Sequence, residues 1–292
     1  MSTAIIINPI SGGVRRAAAQ ARAELARTVV DTRGERVDVF VTEAVGHARE
    51  LATVAVKQGA RLVMAWGGDG TINEVASALA FSDVALGIIP AGSGNGLARE
   101  LGVDPRPGVA MADALAAEAR AIDVGEIEGR LFVNIAGIGV DAFVASRFSL
   151  ARRRGFLGYV GLTASALVTY VPTEYRITVG ETRVDARAIL VTIANSAQFG
   201  NGARIAPGAR VDDGLLDLVV LEERWRLVTV SQLPRLFNGT VDRMRGCTIQ
   251  RIREVTIEAD QPMSFHVDGE PVVGGTRLRA RVHPGALRVA IK

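Results

Sequence analysis

The chain has 292 residues, of which 48% are hydrophobic and 22% are charged, and its formal net charge is +3. That length allows one large domain or two ordinary ones, and the composition is typical of a globular protein with ample core. The single cysteine, Cys247, excludes internal disulfides and any thiolate metal cage, as suits a reducing compartment. No basic run is interleaved with aromatic residues, so we expect no nucleic-acid partner.

The apolar runs of the sequence are too short to cross a membrane. The apolar run of residues 4–7 ends at Asn8 and is too short for a signal peptide. The apolar run of residues 156–171 is shorter than the roughly 20 residues that a spanning helix needs. Of the 34 basic and 31 acidic residues, 12 and 14 lie at or before residue 123, so the remainder is the basic part. We expect a cytoplasmic protein that contacts the anionic inner membrane surface peripherally.

Strand and helix patterns alternate through the first 120 residues or so. Short apolar runs, typical of buried strands, lie at residues 4–8, 37–42, 62–66 and 84–90. Helical periodicity covers residues 14–30, 47–58, 72–80, 95–101 and 105–120. This alternation predicts βαβ units that form a parallel, Rossmann-like sheet covered by helices on both faces.

The pattern changes after residue 123. Runs rich in β-formers, separated by turns of Gly, Asn, Asp and Pro, lie at residues 131–135, 175–179, 188–194, 215–221, 254–259 and 278–282. One helical insert is predicted over residues 149–170. We therefore expect an α/β domain over residues 1–123 and an antiparallel β-sandwich over residues 124–292, whose last residues pack back on the first domain.

The turn Gly67-Gly68-Asp69-Gly70 joins a predicted strand to a predicted helix. Glycines bring backbone N–H groups close to a ligand, and a helix N-terminus adds positive potential, so this is a phosphate-binding arrangement. Asp69 fits an anion site if a divalent cation stands between carboxylate and phosphate. The alternative is a tight turn in which Asp69 only caps the helix, and these residues alone leave both open.

Further loops at the ends of predicted strands have similar chemistry. The first strand ends in residues 8–13, with the sequence NPISGG, the second in Thr42, and the fourth in residues 90–96, with the sequence PAGSGNG. The carboxyl ends of parallel strands share one edge of a sheet, so these loops could wrap a polyphosphate. Neither the dinucleotide fingerprint GxGxxG nor a Walker A sequence occurs, which disfavours a dehydrogenase or a P-loop enzyme.

Six motifs in order resemble those of the diacylglycerol kinase catalytic-domain family, which includes bacterial lipid kinases related to sphingosine and ceramide kinases. They are NPISGG, WGGDGTINEV, PAGSGNGLA, the stretch from Ile122-Asp123-Val124-Gly125 to FVNIAGIGVDA, IAPGARVDDGLLDLVVL, and HVDGEP at residues 266–271. The resemblance covers nearly the whole chain. It implies a two-domain enzyme of the NAD-kinase and diacylglycerol-kinase fold type that transfers the γ-phosphoryl group of ATP, with Mg²⁺, to a lipid hydroxyl in the interdomain cleft.

The same resemblance implies roles for individual residues. Asp69 would act near the γ-phosphate through Mg²⁺ or a water, and Asp123 would extend that acidic network. Glu270 matches the general base of bacterial relatives, whereas in sphingosine kinases that role is assigned to the aspartate matching Asp69; we rank Glu270 first. The alternative for Glu270 is simple hairpin-end chemistry beside Asp268-Gly269. The residues expected to hold the nucleotide are Asn8, Ser11, Gly12, Thr42, Gly67, Gly68, Gly70, Thr71, Asn73 and Ser93.

Two segments of the second half add further expectations. Residues 210–215 resemble the structural Mg²⁺ loop of the family, with the Asp213 carboxylate and the carbonyl oxygens of Arg210 and Leu215 as ligands; an ion-free β-turn is the alternative. Arg154, which follows two other arginines, is a candidate for phosphate contact, with a membrane anchor or a solvated helix end as the alternatives. The three histidines show no metal spacing, so we interpret them as structural or surface residues.

Several features of function stay open at this point. Gly96 stands where many bacterial diacylglycerol kinases have an acidic residue, so the acceptor could be diacylglycerol, a sphingoid base or a related lipid. The enzymatic rival is NAD kinase, which shares the GGDGT turn, and the rival of another class is a non-catalytic nucleotide- or lipid-binding regulator. A homodimer is compatible with the sequence.

Overall fold

The computed structural model describes residues 2–13, 18–31, 37–150, 165–166, 169–200, 202–224 and 226–292. The chain divides into two compact units. The first consists of Met1–Ile122 together with Gly285–Lys292, and the second consists of Asp123–Pro284.

The first unit contains a parallel β-sheet. Its strands are β1 (Ser2–Ile7), β2 (Val37–Val41), β3 (Ala60–Gly67) and β4 (Ala85–Pro90), arranged in the order β2-β1-β3-β4. The end of the last strand of the chain pairs in parallel with β4, with Arg288 opposite Ala85. Strands β3 and β4 are almost wholly buried, as expected for a sheet covered on both faces.

Helices cover both faces of this sheet. They are α1 (Ala18–Asp31), α2 (His47–Lys57), α3 (Asp69–Leu79), α4 (Gly96–Glu100) and α5 (Pro107–Ala116). One face packs against α1 and α5 through a cluster that includes Ile5, Ile7, Ala26 and Met111. Because side chains alternate along a strand, the buried Ile6 points to the opposite face, where α2 and α3 pack on each other and on β3. The predicted parallel α/β fold is confirmed.

The second unit is built from antiparallel strand pairs. Helices α6 (Val140–Leu150), α7 (Arg226–Ser231) and α8 (Pro234–Asn238) accompany them. The strands that lie in or enter this unit are β5 (Ala119–Ile127), β6 (Arg130–Phe132), β7 (Ile135–Gly139), β8 (Thr173–Val179), β9 (Thr182–Ala194), β10 (Gln198–Gly200), β11 (Ala203–Arg204), β12 (Leu216–Glu222), β13 (Cys247–Ile252), β14 (Glu254–Glu258), β15 (Ser264–Val267), β16 (Glu270–Val273) and β17 (Arg277–Ala290).

Two hydrophobic clusters form the core of this unit. Along β12, Leu218 and Val220 face a cluster of strand residues that includes Phe132, Tyr175 and Phe265. Val219, on the opposite face of the same strand, belongs to a second cluster that contains residues of α6. Strands that bury both faces in this way give the predicted antiparallel β-sandwich, with helices on one outer side.

The structure corrects two predicted elements. The helix predicted over residues 105–120 ends at Ala116, because Ile122 and Val124 pack in the core as part of a strand that begins at Ala119. In the helical insert predicted over residues 149–170, the described residues 149, 150, 165, 166 and 169 are helical, but the helix α6 already begins at Val140. The insert is also not single, because α7 and α8 follow later in the unit. Residues 151–164, including the candidate Arg154, lie outside the described residues. Within the described part of the chain, every helix is too short or too polar to span a bilayer.

Candidate functional site

The loops after β1, β2, β3 and β4 all leave from the carboxyl edge of the parallel sheet in the first unit. Backbone hydrogen bonds continue the strand pairing into these loops: Asn8 N–H donates to the Trp66 carbonyl at 2.9 Å and Thr42 N–H to the Ile7 carbonyl at 2.9 Å. Ala91 N–H donates to the Gly67 carbonyl at 2.8 Å. The fold therefore brings the predicted nucleotide-binding loops together at one edge.

Asp69 fastens two of these loops to each other. Its Oδ2 accepts the Asn95 N–H at 2.9 Å and its Oδ1 accepts the Gly96 N–H at 2.7 Å, so both oxygens hold the start of α4. Burial raises the pKa of Asp69 above its usual range, while these two N–H donors act in the opposite direction. One interpretation of the sequence was that Asp69 only caps the helix that follows the turn. In the structure Asp69 does cap a helix, but that helix is α4, which follows β4, and not α3.

The glycines of these loops are required by close packing. A Cβ atom added at Gly92 would lie 2.6 Å from Gly68 Cα, and one added at Gly67 would lie 2.6 Å from Thr71 Oγ1. The backbone of the GGDG turn therefore touches the backbone of the following loop. Asn95, whose φ of 51° is left-handed, closes its own turn by accepting the Gly92 N–H at 2.8 Å.

The first loop is connected to the GGDGT segment through side chains. Asn8 Nδ2 donates to Thr71 Oγ1 at 2.9 Å. Arg22 of α1, which was not predicted from the sequence, donates to the Asn8 carbonyl at 2.7 Å and to Ser11 Oγ at 2.9 Å. Gly12 has a left-handed φ of 76°, which suits glycine. Three predicted residues, Asn8, Ser11 and Thr71, thus form one hydrogen-bonded system with Arg22.

The remaining predicted nucleotide residues line the same edge. Thr42 is buried, Ser93 is exposed, and Gly70 is half-buried in the first turn of α3. Asn73 Oδ1 accepts a long 3.5 Å hydrogen bond from Ser77 Oγ.

Glu74 is a residue of this region whose role sequence reasoning missed. Its two carboxylate oxygens accept the N–H groups of Gly46 at 2.8 Å and Ala48 at 3.0 Å, at the start of α2. It therefore ties the loop after β2 to the helix that follows the GGDG turn. The acidic residue in the sequence GGDGTINE was a visible signal, but its partners lie 26 and 28 residues earlier.

In the second unit, Asp123 is buried and organises the loop at residues 211–214. Its Oδ2 accepts the Gly214 N–H at 2.6 Å, and its own N–H donates to the Val211 carbonyl at 2.6 Å. Asn195 Nδ2 donates to the carbonyls of Asp123 and Val133, each at 2.9 Å. In this structure Asp123 holds backbone, and its assignment to an acidic catalytic network stays a prediction.

The predicted Mg²⁺ loop has its carboxylate engaged by protein groups. Asp213 Oδ2 is paired with the Arg251 guanidinium, and Asp213 Oδ1 accepts the Leu215 N–H at 3.1 Å. The Arg210 side chain pairs with Asp212 at 3.3 Å. No group of three or more His, Cys, Asp or Glu side chains in the described ranges is arranged to hold a metal ion. The Asp213 carboxylate is thus engaged by Arg251 and Leu215, and its role as a Mg²⁺ ligand, with the carbonyl oxygens of Arg210 and Leu215, stays a prediction.

Glu270 is exposed at the start of β16. It lies opposite Val267 across a two-residue turn, Asp268-Gly269, in which both residues have positive φ, 48° and 89°. This is the hairpin turn that an Asp-Gly pair favours. The hairpin interpretation of this sequence is correct for the backbone, and it leaves the Glu270 carboxylate accessible.

Asp268 anchors that hairpin. Its buried carboxylate accepts the N–H groups of Val133, Asn134 and Ile135, each at 2.9 Å. Asn134 in turn donates from Nδ2 to the Gln198 carbonyl at 2.7 Å. The Glu270 turn therefore rests on the same polar core that contacts Asp123, since Asn195 N–H donates to the Asn134 carbonyl at 2.9 Å. Of the predicted catalytic residues, Asp123 and Glu270 belong to this unit and Asp69 belongs to the first.

Comparison with known proteins identifies relatives along the whole chain. The family model described as "Diacylglycerol kinase catalytic domain" matches residues 2–127, and the model described as "YegS C-terminal NAD kinase beta sandwich-like domain" matches residues 134–291. A Pseudomonas aeruginosa protein named "Probable lipid kinase YegS-like" is 35% identical over 262 residues, which cover 88% of this chain and 85% of the relative. A Mycobacterium tuberculosis protein named "Diacylglycerol kinase" is 30% identical, over 91% of this chain and 87% of that one.

Solved structures share the fold. A crystal structure from Bacillus anthracis superposes with a TM-score of 0.82 at 20% sequence identity, and covers 100% of this chain and 95% of that one. A crystal structure described as a diacylglycerol kinase from the same organism gives a TM-score of 0.74 at 18% identity, over 100% of this chain and 97% of that one. At such low identity these likenesses show the fold alone.

Proposed function

The chain belongs to the family of diacylglycerol-kinase-type lipid kinases, and we propose that it transfers the γ-phosphoryl group of ATP to a hydroxyl group of a membrane lipid. The family supports a kinase; the nucleotide, the ion and the acceptor are parts of the proposal. The observation that carries it is the pair of hydrogen bonds from Asn95 and Gly96 to Asp69, because they join two glycine-rich loops into one rigid frame. Phosphoryl transfer depends mainly on such positioning.

The first unit would bind the nucleotide. Backbone N–H groups of glycine loops at the carboxyl edge of a parallel sheet suit polyphosphate, and the fixed geometry avoids an entropic cost on binding. Thr71 and Ser11, held by Asn8 and Arg22, would place hydroxyl groups beside the same ligand. Arg22 also adds positive charge to the first loop.

Glu270 is the stronger candidate for the general base. A base must reach the acceptor hydroxyl, and the Glu270 carboxylate is exposed at a hairpin tip. Asp69 has both carboxylate oxygens bound to backbone N–H groups, which is the environment of a structural cap. We therefore assign proton removal to Glu270 and loop positioning to Asp69.

Mg²⁺ enters this proposal as the ion that accompanies ATP, where it would neutralise charge on the phosphates. The predicted Mg²⁺ loop at residues 210–215 is distinct from this ATP-bound ion, and its Asp213 is paired with Arg251. No step of the reaction is assigned to that loop.

The acceptor is proposed to be diacylglycerol, a sphingoid base or a related lipid at the inner membrane surface. Gly96 provides no carboxylate at a position where one could hold a polar head group. Whether the head group of the acceptor carries an amine or only hydroxyl groups is therefore the property that the lipid panel below tests. The excess of basic residues after residue 123 favours a peripheral encounter with anionic lipid.

The test is transfer of labelled γ-phosphate from ATP, with Mg²⁺, to a panel of micellar lipids. The panel contains diacylglycerol, monoacylglycerol, sphingosine, ceramide and phosphatidylglycerol, with NAD as an aqueous control. A labelled lipid is the expected result and identifies the acceptor. Label on NAD would instead support the NAD-kinase alternative, and ATP binding without any labelled product would support a non-catalytic regulator.

A further inference from the structure

A buried pair of ionisable side chains lies beneath the Glu270 hairpin. His266 of β15 and Asp141 in the first turn of α6 are 2% and 5% exposed, and His266 Nε2 lies 2.9 Å from Asp141 Oδ2. A third group, Thr192 Oγ1, donates to the same Asp141 oxygen at 3.4 Å. Ionisable groups are rarely buried this deeply unless paired, so their presence calls for a role.

The other ring nitrogen of His266 contacts the hairpin turn. The Gly269 N–H donates to His266 Nδ1 at 3.2 Å. A nitrogen that accepts a hydrogen bond carries no proton, so this bond requires the neutral tautomer in which Nε2–H faces Asp141. Gly269 immediately precedes Glu270, so the imidazole connects α6 to the backbone of the turn that presents Glu270.

The neighbouring strand leaves room for this pair. Gly137 of β7 lies opposite His266 in the sheet. A Cβ atom at Gly137 would overlap the Asp141 carboxylate and lie 2.6 Å from His266 Nε2. Only glycine at this position allows the carboxylate and the imidazole to meet.

We propose that Asp141 and His266 are positioning residues for Glu270: the Asp141 carboxylate, close to Nε2, favours the tautomer with the proton on Nε2, and His266 Nδ1 holds the Gly269 peptide and thereby the direction of the Glu270 side chain. This inference rests on the proposed function, because it takes Glu270 as the base. It also explains why two ionisable side chains occupy a buried site where apolar side chains would pack at lower cost.

Two substitutions at His266 separate positioning from packing. In His266→Asn the amide oxygen can take the place of Nδ1 and accept the Gly269 N–H, while the contact with Asp141 is lost. In His266→Gln the amide nitrogen can take the place of Nε2 and keep Asp141, while the acceptor for Gly269 is lost. We expect kcat to fall about 10- to 100-fold in His266→Gln and only a few-fold in His266→Asn, with KM for ATP unchanged in both.

A role in packing alone predicts the opposite order, since asparagine leaves the larger cavity. Both variants are compared at a temperature where circular dichroism shows them folded. A lower kcat in His266→Asn than in His266→Gln, or equal values in the two, would overturn the positioning role.

A second readout needs no activity. Long-range ¹H–¹⁵N correlation spectra of the wild-type protein report the tautomer of each of its three imidazoles, and the His266→Asn spectrum identifies the signal of His266. Burial lowers the pKa of His266, but Asp141, with Asp268 nearby, raises it by more, so spectra are recorded at increasing pH until the signals of the neutral ring appear. The Nε2–H tautomer is expected.

An Nδ1–H tautomer would overturn the inference while leaving lipid-kinase activity intact. Absence of lipid phosphorylation by the wild-type protein would instead overturn the proposed function, so the two failures are distinguishable.

Discussion

The GGDG turn of the first unit and the Asp-Gly turn of the second unit use aspartate in the same way but differ in what they leave free. Asp69 accepts two backbone N–H groups and Asp268 accepts three, so each carboxylate joins segments that are distant in sequence. After Asp268 the chain presents the exposed Glu270, whereas both oxygens of Asp69 remain engaged. An aspartate in a glycine-rich motif can therefore have a structural role, holding two backbone segments together, instead of a catalytic one. The accessible carboxylate of Glu270 is the better candidate for catalysis.

The largest effect should come from Glu270→Gln, which removes the proposed base with little change of shape. We expect kcat to fall by about 10²- to 10⁴-fold, with the Kd for ATP unchanged, because general-base catalysis contributes this much. Steady-state kinetics and calorimetric ATP titration measure the two quantities. Glu181→Gln is the matched control, since Glu181 is also exposed beside a glycine at a hairpin turn of the second unit and should retain full activity. A near-normal kcat in Glu270→Gln would remove Glu270 from the mechanism.

Asp69→Asn should affect binding and stability together. The amide keeps one acceptor but turns a donor toward the other N–H group, so we expect about 1–3 kcal/mol lower stability and at least roughly tenfold weaker ATP binding. Urea unfolding and ATP titration test this, with the exposed Asp83→Asn as control. If ATP affinity and stability both stay at wild-type levels, the Asp69 carboxylate does not hold the GGDG turn and the loop after β4 together.

Gly137→Ala should perturb the second unit alone. The added methyl group would overlap the Asp141 carboxylate, so we expect about 1–3 kcal/mol of destabilisation and a lower kcat with normal ATP affinity. Gly108→Ala is the control, because a Cβ atom there has no heavy atom within 4 Å. Wild-type stability in Gly137→Ala would contradict the tight packing around the Asp141–His266 pair.

The smallest expected effect concerns Asp217, a carboxyl of the second unit that takes no part in the candidate site. Burial raises the pKa of Asp217 to about 6. A carboxyl with a raised pKa in the folded state binds more protons there than in the unfolded state, so its contribution to stability is lost as pH rises from about 4 through 6. Asp217→Asn should therefore be about 1–2 kcal/mol more stable than wild type at neutral pH and equal to it near pH 4. Denaturation midpoints at both pH values measure this, and equal stability at neutral pH would contradict it.

Much of the architecture could be predicted from the sequence. The alternation of apolar runs and amphipathic segments gave the parallel sheet of the first unit, because a buried strand and a two-faced helix have different periodicities. The end of α5 could not be predicted from local sequence. Residues 117–120 favour helix locally, whereas β5 pairs with β17, a strand about 150 residues later in the chain. Strands β15 and β16 were missed for a related reason, as each has only four residues.

The candidate site was also predicted in part: its loops could be placed from the sequence, but the contacts within it could not. The positions of the loops after β1 to β4 could be predicted, because parallel strands share their carboxyl edge. The partners of Asp69, Glu74 and Asp268 could not, since each carboxylate binds N–H groups of a segment more than 20 residues away. The Asp141–His266 pair depends on the register of β7 with β15, which no local pattern specifies.

The most direct test compares Asp69→Asn and Glu270→Gln in one experiment, by measuring ATP affinity and the single-turnover rate of γ-phosphoryl transfer to the lipid that the wild-type protein accepts. We expect opposite effects in the two variants. Asp69→Asn weakens ATP binding but, at saturating ATP, retains most of the transfer rate, whereas Glu270→Gln binds ATP normally and transfers slowly. The reverse pattern, with Asp69→Asn binding ATP normally but failing to transfer and Glu270→Gln transferring at the wild-type rate, would show that Asp69 is the reacting carboxylate.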